Sequence, residues 1–462
     1  MKLYNTQSRK KEDFAPLEQG KLKLYSCGPT VYDYFHIGNA RAFIFFDVVR
    51  RYFEYLDYEV TYVQNITDID DKIIEKAINE GRDYSEIADR YASAFLEDSA
   101  ALGIKKPHAQ PRATEMMPQI IELIDTLVKK GYAYESGGDV YFDTSALKEY
   151  GSLSGKQIEE QMAGARVAEN LNKKHSADFT LWKKSKPGEP IWQSPWGEGR
   201  PGWHTECVVM SQHYLGESFD IHGGGIDLVF PHHENENAQA MALTGKPLAR
   251  YWMHNGFLNI DGEKMSKSLK NFFTAIDILK DYDKEAIRFF FLSKHYRSPI
   301  DFTRELIEES HRAVQNFHKA LESFDVKALE QRESMATGMP EVEMQFREAM
   351  DDDFNTAAAT GVLFDGVKTV NTYLKESDLP DPAVLEAAET FFRKLDSVMG
   401  ILPPEASGEE GESAGIEKLI AERNEARKRK DFSRSDEIRD ELAARGIVLE
   451  DTPEGTKWKK KG

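Results

Sequence analysis

The pattern of hydrophobic and polar positions predicts alternating strands and helices in the first hundred residues. Short apolar runs at residues 21–26 and 59–64 predict strands, and the apolar positions of residues 40–56 between them fit a buried helix. A second helical pattern begins at Ile69. This order of elements is typical of a parallel, doubly wound sheet. Because this strand–helix–strand region contains no G-x-G-x-x-G sequence, a nicotinamide-dependent dehydrogenase is not supported.

The pattern loosens between about residues 110 and 200. A helix over residues 116–130 and a strand over residues 139–142 are predicted there, and a Gly-, Pro- and Trp-rich run closes the region. Such a region is typical of an insertion between the two halves of a nucleotide-binding fold. We therefore expect an α/β protein with a split Rossmann-type parallel-sheet domain, residues 1–110 and 201–245, and an insertion domain, residues 111–200.

Long helical periods dominate the chain after residue 301. Helices are predicted over residues 303–330, 341–352, 354–376 and 382–400. Helix breakers and acidic residues then mark a linker, residues 403–414, and the chain ends in two short apolar stretches around a Pro-Gly turn. The expectation is an α-helical bundle over residues 306–402 and a small mixed α+β domain over residues 415–462.

Composition narrows the class of protein. The 462 residues are 40% hydrophobic and 30% charged, as in an ordinary globular protein. No apolar run approaches the roughly 20 residues that span a bilayer, and the polar N-terminus lacks the apolar core of a secretory signal. With only two cysteines, Cys27 and Cys207, a reducing compartment is favoured. We expect a cytoplasmic enzyme with no membrane partner.

The net charge of −19 argues against a protein that coats nucleic acid without specificity. It leaves room for local basic tracks, such as residues 427–430 and 459–461 near the C-terminus. A solvated helix face and a frayed tail explain these two runs equally well.

Two motifs carry the candidate chemistry. Residues 36–39 read H-I-G-N after an apolar segment, and residues 264–268 read K-M-S-K-S. Either motif alone fits a polar surface loop. Together and in this order they resemble the ATP-handling apparatus of a class I aminoacyl-tRNA synthetase. The resemblance implies that the protein activates an amino acid with ATP and Mg²⁺.

The H-I-G-N segment suits a phosphate site. Gly38 lies where a strand and loop pass into a helix, so that backbone N–H groups and the helix dipole can face phosphate. His36 and Asn39 add side-chain donors. Asn39 stands where the family more usually has a second histidine, and it cannot carry a positive charge.

The K-M-S-K-S segment brings charge from the opposite side. Lys264 and Lys267 can neutralise the pyrophosphate, and Ser266 adds a hydroxyl donor. The predicted catalytic residues are therefore His36, Asn39, Lys264 and Lys267.

Four other segments contain residue types that can bind metals. They are residues 27–30, 203–207, 220–225 and 230–236. Pro231 is a suitable first helical residue, which would place His232 and Glu236 on one helix face. Two thiolates, one imidazole and one carboxylate make a plausible zinc set. No C-x-x-C pair is present to fix the ligands of such a site. Hydrogen bonding to ATP and packing in the core are the alternative roles for several of these histidines.

Three long segments sharpen the resemblance. C-G-P-T-V-Y-D-Y-F-H-I-G-N-A-R, G-R-P-G-W-H-T-E-C and F-D-I-H-G-G-G-I-D-L-V-F-P-H-H-E-N-E are similar to the cysteinyl-tRNA synthetase family, in that family's order. The resemblance extends over essentially the whole chain. It implies one zinc ion per subunit in the amino-acid pocket, with the ligands Cys27, Cys207, His232 and Glu236.

The same resemblance suggests further pocket residues. Thr67, Trp203 and His222 are expected near the cysteine substrate, and Asp227 near adenosine. Residues 223–225, all glycine, would let the backbone approach the nucleotide. Structural support of the site is the alternative role for these residues.

A metal explains how the substrate would be selected. An apolar pocket separates close isosteres by only roughly 10²-fold. Zinc prefers a thiolate to a hydroxyl, and it lowers the pKa of the thiol. Rejection of serine would then need no editing domain, and none of that size is evident between the catalytic halves.

The resemblance also implies tRNA(Cys) as the acceptor and a monomeric protein. Residues 246–305 would contact the tRNA stem and residues 415–462 the anticodon, with Arg427, Lys428, Lys430 and Trp458 as candidate contacts. A related ligase that joins cysteine to an amino sugar is the nearest alternative, and the long C-terminal region favours tRNA. A non-catalytic binding protein is disfavoured because the ATP motifs and all four zinc ligands are intact.

Overall fold

The computed structural model describes two compact units, Met1–Leu402 and Pro403–Gly462. In the first unit the described residues are 1–155, 172–260, 263–264, 273–325, 339–376 and 382–402. In the second they are 419–420, 423–424, 426–427, 434–435, 438–439, 442, 447–452 and 455–460. The predicted linker 403–414 lies outside the described residues.

The strands follow the chain in this order: β1 Lys2–Asn5, β2 Lys10–Asp13, β3 Lys21–Ser26, β4 Glu59–Gln64, β5 Ala133–Ser136, β6 Asp139–Phe142, β7 Phe179–Lys184, β8 Gly199–Pro201, β9 Phe219–Gly225, β10 Ala249–Asn255, β11 Leu258–Ile260, β12 Glu263–Lys264, β13 Ile300–Phe302, β14 Ile447–Thr452 and β15 Gly455–Lys460. The predicted strands 21–26, 59–64 and 139–142 coincide with β3, β4 and β6.

The α-helices are α1 Ile37–Tyr55, α2 Asp71–Glu80, α3 Tyr84–Ala101, α4 Met117–Lys129, α5 Thr205–Leu215, α6 Glu234–Thr244, α7 Ala275–Leu279, α8 Lys284–Leu292, α9 Arg304–Asp325, α10 Met339–Asp351, α11 Thr356–Glu376 and α12 Pro382–Met399. The predicted helical bundle is confirmed by α9 to α12. Residues 326–330, which the prediction assigned to the first of these helices, lie outside the described residues.

A four-stranded parallel sheet organises the first unit. Its order is β10-β9-β3-β4, with every neighbouring pair parallel. β3 and β4 precede the insertion and β9 and β10 follow it, which confirms the expected split α/β fold. Ligands of open parallel sheets bind beyond the carboxyl ends of the strands. Here the segments that begin at residues 27, 65, 226 and 256 leave those ends.

Helix α1 runs through the interior of this unit. Its phenylalanines, among them Phe46, are buried, and so is Asp47. A buried carboxylate needs a partner, and Asp47 has two, Arg51 at 2.7 Å and Arg288 at 2.9 Å. A side chain at Gly223 would collide with the ring of Phe46, since its Cβ would lie 2.1 Å away. The small size of Gly223 therefore allows close packing of β9 on α1.

The insertion contains a second sheet. Strands β5 to β8 pair in sequence order as an antiparallel sheet, and only β6 was predicted. In the second unit β14 and β15 form a hairpin beside the buried residues Ile420, Ile438 and Leu442. None of the helices in the described part of the chain is long and apolar enough to cross a membrane.

Candidate functional site

Four metal-binding side chains converge at the carboxyl end of β3. The Sγ atoms of Cys27 and Cys207 are 4.0 Å apart, and Cys207 Sγ lies 3.7 Å from His232 Nε2. Glu236 Oε1 lies 2.7 Å from His232 Nε2 and 3.7 Å from Cys27 Sγ. All four side chains are buried, and their donor atoms lie within 4.8 Å of one another. The structure thus brings together the four residues that the family resemblance implied.

Different elements position these donors. Cys27 follows β3, where its N–H donates to the carbonyl of Gly223 at 3.1 Å. Cys207 lies in the first turn of α5. Phe230 has extended dihedral angles (φ −136°, ψ 132°), and helical backbone starts again at Pro231 within the short helical element Val229–His233, which continues into α6. This agrees with the prediction that Pro231 is the first helical residue, and His232 and Glu236 do lie on one helix face.

Two more histidines, neither of which lines the cleft described below, contact the same cluster. His222 Nε2 lies 2.6 Å from Glu236 Oε2, and His233 Nε2 lies 3.2 Å from Cys27 Sγ. Cys27, His222, His233 and Glu236 therefore form a second possible donor set. The sequence analysis did not select His233, although its place in the H-H-E-N-E segment was a usable signal. The two oxygens of Glu236 serve different histidines, His232 and His222.

Electrostatics supports a cation at this position. Burial alone would raise the pKa of Glu236, but the imidazoles of His232 and His222 hold it well below its usual range. Burial alone would lower the pKa of His232, but Glu236 and Cys207 raise it to about 10. Burial raises the pKa of Cys27, while hydrogen bonds with Cys27 and His232 lower that of Cys207 despite burial. The residues thus favour positive charge among them and fit a zinc-type ion.

A chain of hydrogen bonds leads from Cys27 to the N-terminal hairpin. His233 Nδ1 lies 2.8 Å from His254 Nε2, and His254 Nδ1 lies 2.7 Å from Thr6 Oγ1. Burial lowers the pKa of His233, and it lowers that of His254 to about 3, so both rings are neutral. If the Thr6 hydroxyl donates to His254, each ring donates onward and an N–H points at Cys27. Sequence reasoning missed this chain.

A cleft of about 350 Å³ connects these donors to the H-I-G-N segment. The predicted site residues that line it are Cys27, His36, Gly38, Asn39, Thr67, Trp203, Cys207, Asp227 and His232. Gly224 and Gly225 also face it, whereas Gly223 packs against the core. Glu236 and His222 are fully buried and do not line the cleft.

Further contacts shape the end of the cleft at which Cys27, Cys207 and His232 lie. Trp203 is 40% exposed and stacks on His232, with ring centroids 4.2 Å apart. The Thr67 hydroxyl donates to Glu206 and accepts from Asn65 Nδ2 at 3.1 Å. Burial raises the pKa of Glu206 well above its usual range, and Cys207 adds to the effect. Glu206 was not selected from the sequence, although it directly precedes Cys207.

His36 caps helix α1 at the other end of the cleft. Its Nδ1 accepts the N–H of Asn39 at 3.2 Å. A neutral imidazole that accepts through Nδ1 carries its proton on Nε2, so His36 can offer Nε2–H as a donor. Gly38 lies in the first turn, where backbone N–H groups have no partner within the helix.

The K-M-S-K-S segment is described only at its start. Lys264 ends β12, where it pairs with Asn259 of β11, and Ser266 and Lys267 lie outside the described residues. The chain after the segment returns to the H-I-G-N motif. The N–H of Ile37 donates to the carbonyl of Phe273 at 3.0 Å, and the backbone of His36 forms an isolated antiparallel β-bridge with that of Thr274.

Comparison with protein families gives matches along the chain. A model of the class I (C) catalytic domain of tRNA synthetases matches residues 13–315, and a model of the DALR domain matches residues 345–403. A model of the cysteinyl-tRNA ligase anticodon binding domain matches residues 409–458.

Full-length relatives share about half of the residues. The cysteine–tRNA ligase of Geobacter sulfurreducens is 51% identical over 483 residues, with 100% of each chain covered. That of Bacillus licheniformis is 50% identical over 465 residues, with 99% of this chain and 98% of the relative covered. That of Staphylococcus carnosus is 51% identical, with 99% of each chain covered.

Solved structures of more distant proteins have the same fold. A methionyl-tRNA synthetase of Mycobacterium tuberculosis, in complex with methionyl-adenylate, has a TM-score of 0.64 at 16% identity and covers 84% of this chain and 93% of its own. The LeuRS of Agrobacterium radiobacter K84 has a TM-score of 0.60 at 11% identity, covering 84% and 85%. At these identities the likeness concerns the fold alone, and it agrees with the expected class I architecture.

Proposed function

The chain belongs to the cysteinyl-tRNA synthetase family of ATP-dependent aminoacyl-tRNA ligases, and from this premise we propose its reaction and the residues that perform it. The protein activates L-cysteine with ATP and Mg²⁺, forming cysteinyl-adenylate and pyrophosphate. It then transfers cysteine to the 3′-terminal adenosine of tRNA(Cys). The observation that carries the proposal is that a cluster of buried metal donors and the H-I-G-N motif open into one cleft.

The metal of the proposed site is one zinc ion, held by Cys27, Cys207, His232 and Glu236. When bound, zinc favours a thiolate over a hydroxyl and so supplies the preference for cysteine over serine. Three of these four residues line the cleft, where a substrate thiol can approach.

The alternative donor set is less suitable. His222 already serves Glu236 Oε2, and His233 forms a hydrogen bond with His254. Both rings are fully buried, at 0% exposure, and neither lines the cleft. We therefore assign His222 and His233 to the support of Glu236 and Cys27.

The proposed catalytic residues act on ATP. His36 and Asn39 bind phosphate beside Gly38 and the N-terminus of α1, and Lys264 and Lys267 neutralise the departing pyrophosphate. Ser266 adds a hydroxyl donor, while Asp227 binds adenosine. Thr67 and Trp203 border the cysteine, with His222 behind them.

The proposed acceptor contacts lie in the C-terminal part. The match of residues 409–458 to an anticodon binding domain supports tRNA over an amino sugar as the acceptor. Arg427, Lys428, Lys430 and Trp458 are the proposed tRNA contacts, of which the two lysines lie outside the described residues. The proposed domain limits are those of the sequence analysis, and the proposed working form is a cytoplasmic monomer.

Cysteine-dependent exchange of pyrophosphate into ATP tests the first step, and it is expected with cysteine but not with serine. Charging of tRNA(Cys), compared with ligation to an amino sugar, tests the acceptor. Exchange with another amino acid and none with cysteine would refute the proposal.

A further inference from the structure

Arg41 is a buried cation at the fifth position of helix α1, only 2% exposed. Its guanidinium donates to backbone carbonyl oxygens alone: Gly256 at 2.7 Å, Phe257 at 2.7 Å, His295 at 3.5 Å, Tyr296 at 3.1 Å and Ser298 at 2.5 Å. In the described part of the chain, no carboxylate forms an ion pair with it.

A buried charge of this kind is destabilising unless well-placed hydrogen bonds compensate for the lost hydration. Burying a charge without a counter-charge is strongly unfavourable, and here carbonyl dipoles replace the lost hydration. Burial lowers the pKa of Arg41 to about 10, so the side chain stays charged at neutral pH. Only the planar guanidinium, with five N–H groups, can serve so many acceptors at once.

The acceptors belong to two segments that meet behind the cleft. Residues 256–257 follow β10, and residues 295–298 follow α8. The N–H of Gly256 donates to the carbonyl of Tyr296 at 2.8 Å, and a Cβ on Gly256 would lie 2.6 Å from the carbonyl oxygen of Arg297. The segments are therefore in close backbone contact.

The first segment is also a wall of the cleft. Gly256, Phe257 and Leu258 line it on one side, while Gly38 and Asn39 of α1 line it on another. Arg41 lies on α1 three residues after Gly38 and holds the carbonyls of Gly256 and Phe257. It thus sets the separation between the phosphate-facing end of α1 and this wall.

We propose that Arg41 is a positioning residue for ATP, which holds the backbone of residues 256–258 at the distance from α1 that the nucleotide requires. The inference rests on the proposed function, because it takes ATP as the occupant of this cleft. Arg41 itself does not line the cleft, and its effect is transmitted by the two carbonyls.

The test replaces Arg41 by lysine, which keeps the charge but cannot span both segments. The Kd and KM for ATP are expected to rise by on the order of tenfold or more, because a small misplacement of a binding wall is costly. The KM for cysteine and the zinc content should stay unchanged. If Arg41 served stability alone, Arg41→Lys would lower the melting temperature without raising the KM for ATP more than the KM for cysteine.

Arg288 offers a matched control. It is another buried arginine, 1% exposed, but it pairs with Asp47 and donates to the carbonyl of Met399, away from the cleft. Arg288→Lys should lower the melting temperature without changing the affinity for ATP.

A second variant approaches the same wall from the other side. Gly256→Ala should push residues 256–258 away from residues 297–298 and weaken ATP binding in the same selective way, even if Arg41→Lys fails to fold. Binding of labelled ATP to the unaltered chain is measured first. No binding there would overturn the proposed function itself, whereas unchanged ATP affinity in the folded variants would overturn only the role of Arg41.

Discussion

At the cysteine end of the cleft, the side chains of Cys207, His232 and Glu236 are almost fully buried among stacked rings. At the nucleotide end, His36 and Asn39 are half-buried beside the N-terminus of a helix. One end consists of side-chain donors that hold one another in place. At the other end, backbone N–H groups of α1 are paired within the chain, that of Ile37 with the carbonyl of Phe273 and that of Asn39 with His36.

The difference follows from desolvation. Buried donors without partners are unfavourable, and a further side chain supports two of them, His222 for Glu236 and His233 for Cys27. A preformed arrangement of this kind suits discrimination between two small side chains. A half-exposed helix N-terminus needs less side-chain support, and the proposed binding of phosphate there suits a ligand common to many enzymes.

The strongest test of this contrast is Cys207→Ser, which removes a proposed metal ligand. We expect the bound zinc to be lost and cysteine-dependent exchange to fall by at least about 10³-fold, because a hydroxyl is a poor zinc ligand. Metal analysis and exchange kinetics measure the two effects. Ser211→Ala, one turn later on α5, is the control and should keep its zinc. Normal zinc content and cysteine affinity in Cys207→Ser would contradict the assignment.

Lys267→Ala should affect only the nucleotide end. We expect kcat for exchange to fall on the order of 10²–10³-fold, because a donor to the developing charge is lost. Zinc content should not change. The exposed Lys280, which directly follows helix α7, provides the control variant Lys280→Ala, which should be fully active. Loss of zinc in Lys267→Ala would mean that the two ends are not independent.

His222→Gln should weaken the metal site without removing a ligand. The hydrogen bond to Glu236 Oε2 is lost, and such outer contacts are typically worth 10–100-fold in metal affinity, about 1–3 kcal/mol. Competition with a zinc chelator measures this change. His213→Gln, an exposed histidine on α5, should leave the affinity unaltered. A rise in the KM for ATP as large as the loss of zinc affinity would contradict the separation of the two ends.

Thr6→Val should give the smallest effect. Valine has the shape of threonine but cannot donate to His254, so the hydrogen-bond chain to Cys27 loses its first donor. We expect zinc affinity to fall by less than about tenfold in the same chelator competition. Thr126→Val, whose hydroxyl bonds only within α4, serves as the comparison. An effect as large as that of His222→Gln would show that the chain matters more than its distance from the metal suggests.

Local sequence patterns predicted those strands whose buried apolar residues stand out from the neighbouring sequence. The strands 21–26 and 59–64 were found without error, because their short apolar runs are largely buried in one sheet. The N-terminal hairpin and most of the insertion sheet were missed. Their strands are only three to six residues long, as in Gly199–Pro201 and Lys10–Asp13, and their pattern does not stand out from the neighbouring loops.

The candidate site was predicted in a different way. Cys27, Cys207, His232 and Glu236 came from the family resemblance, since spacing alone left several histidines open. The spacing argument did place His232 and Glu236 correctly on one helix face after Pro231. The structure then brought the four donors together, and it added His233 and Glu206, each of which lies next to a predicted donor in the sequence.

By itself, then, the sequence determined the class of fold, and it supplied the two proposed ATP motifs and the four proposed donors, because each is carried by residues close together in the chain or by a family pattern. Only the tertiary structure decided which atoms support them. The hydrogen bond of Thr6 to His254 joins residues 248 positions apart, and that of Arg41 to Gly256 joins residues 215 apart. Such contacts depend on how the sheet and helices pack, and local preferences of the chain do not encode them.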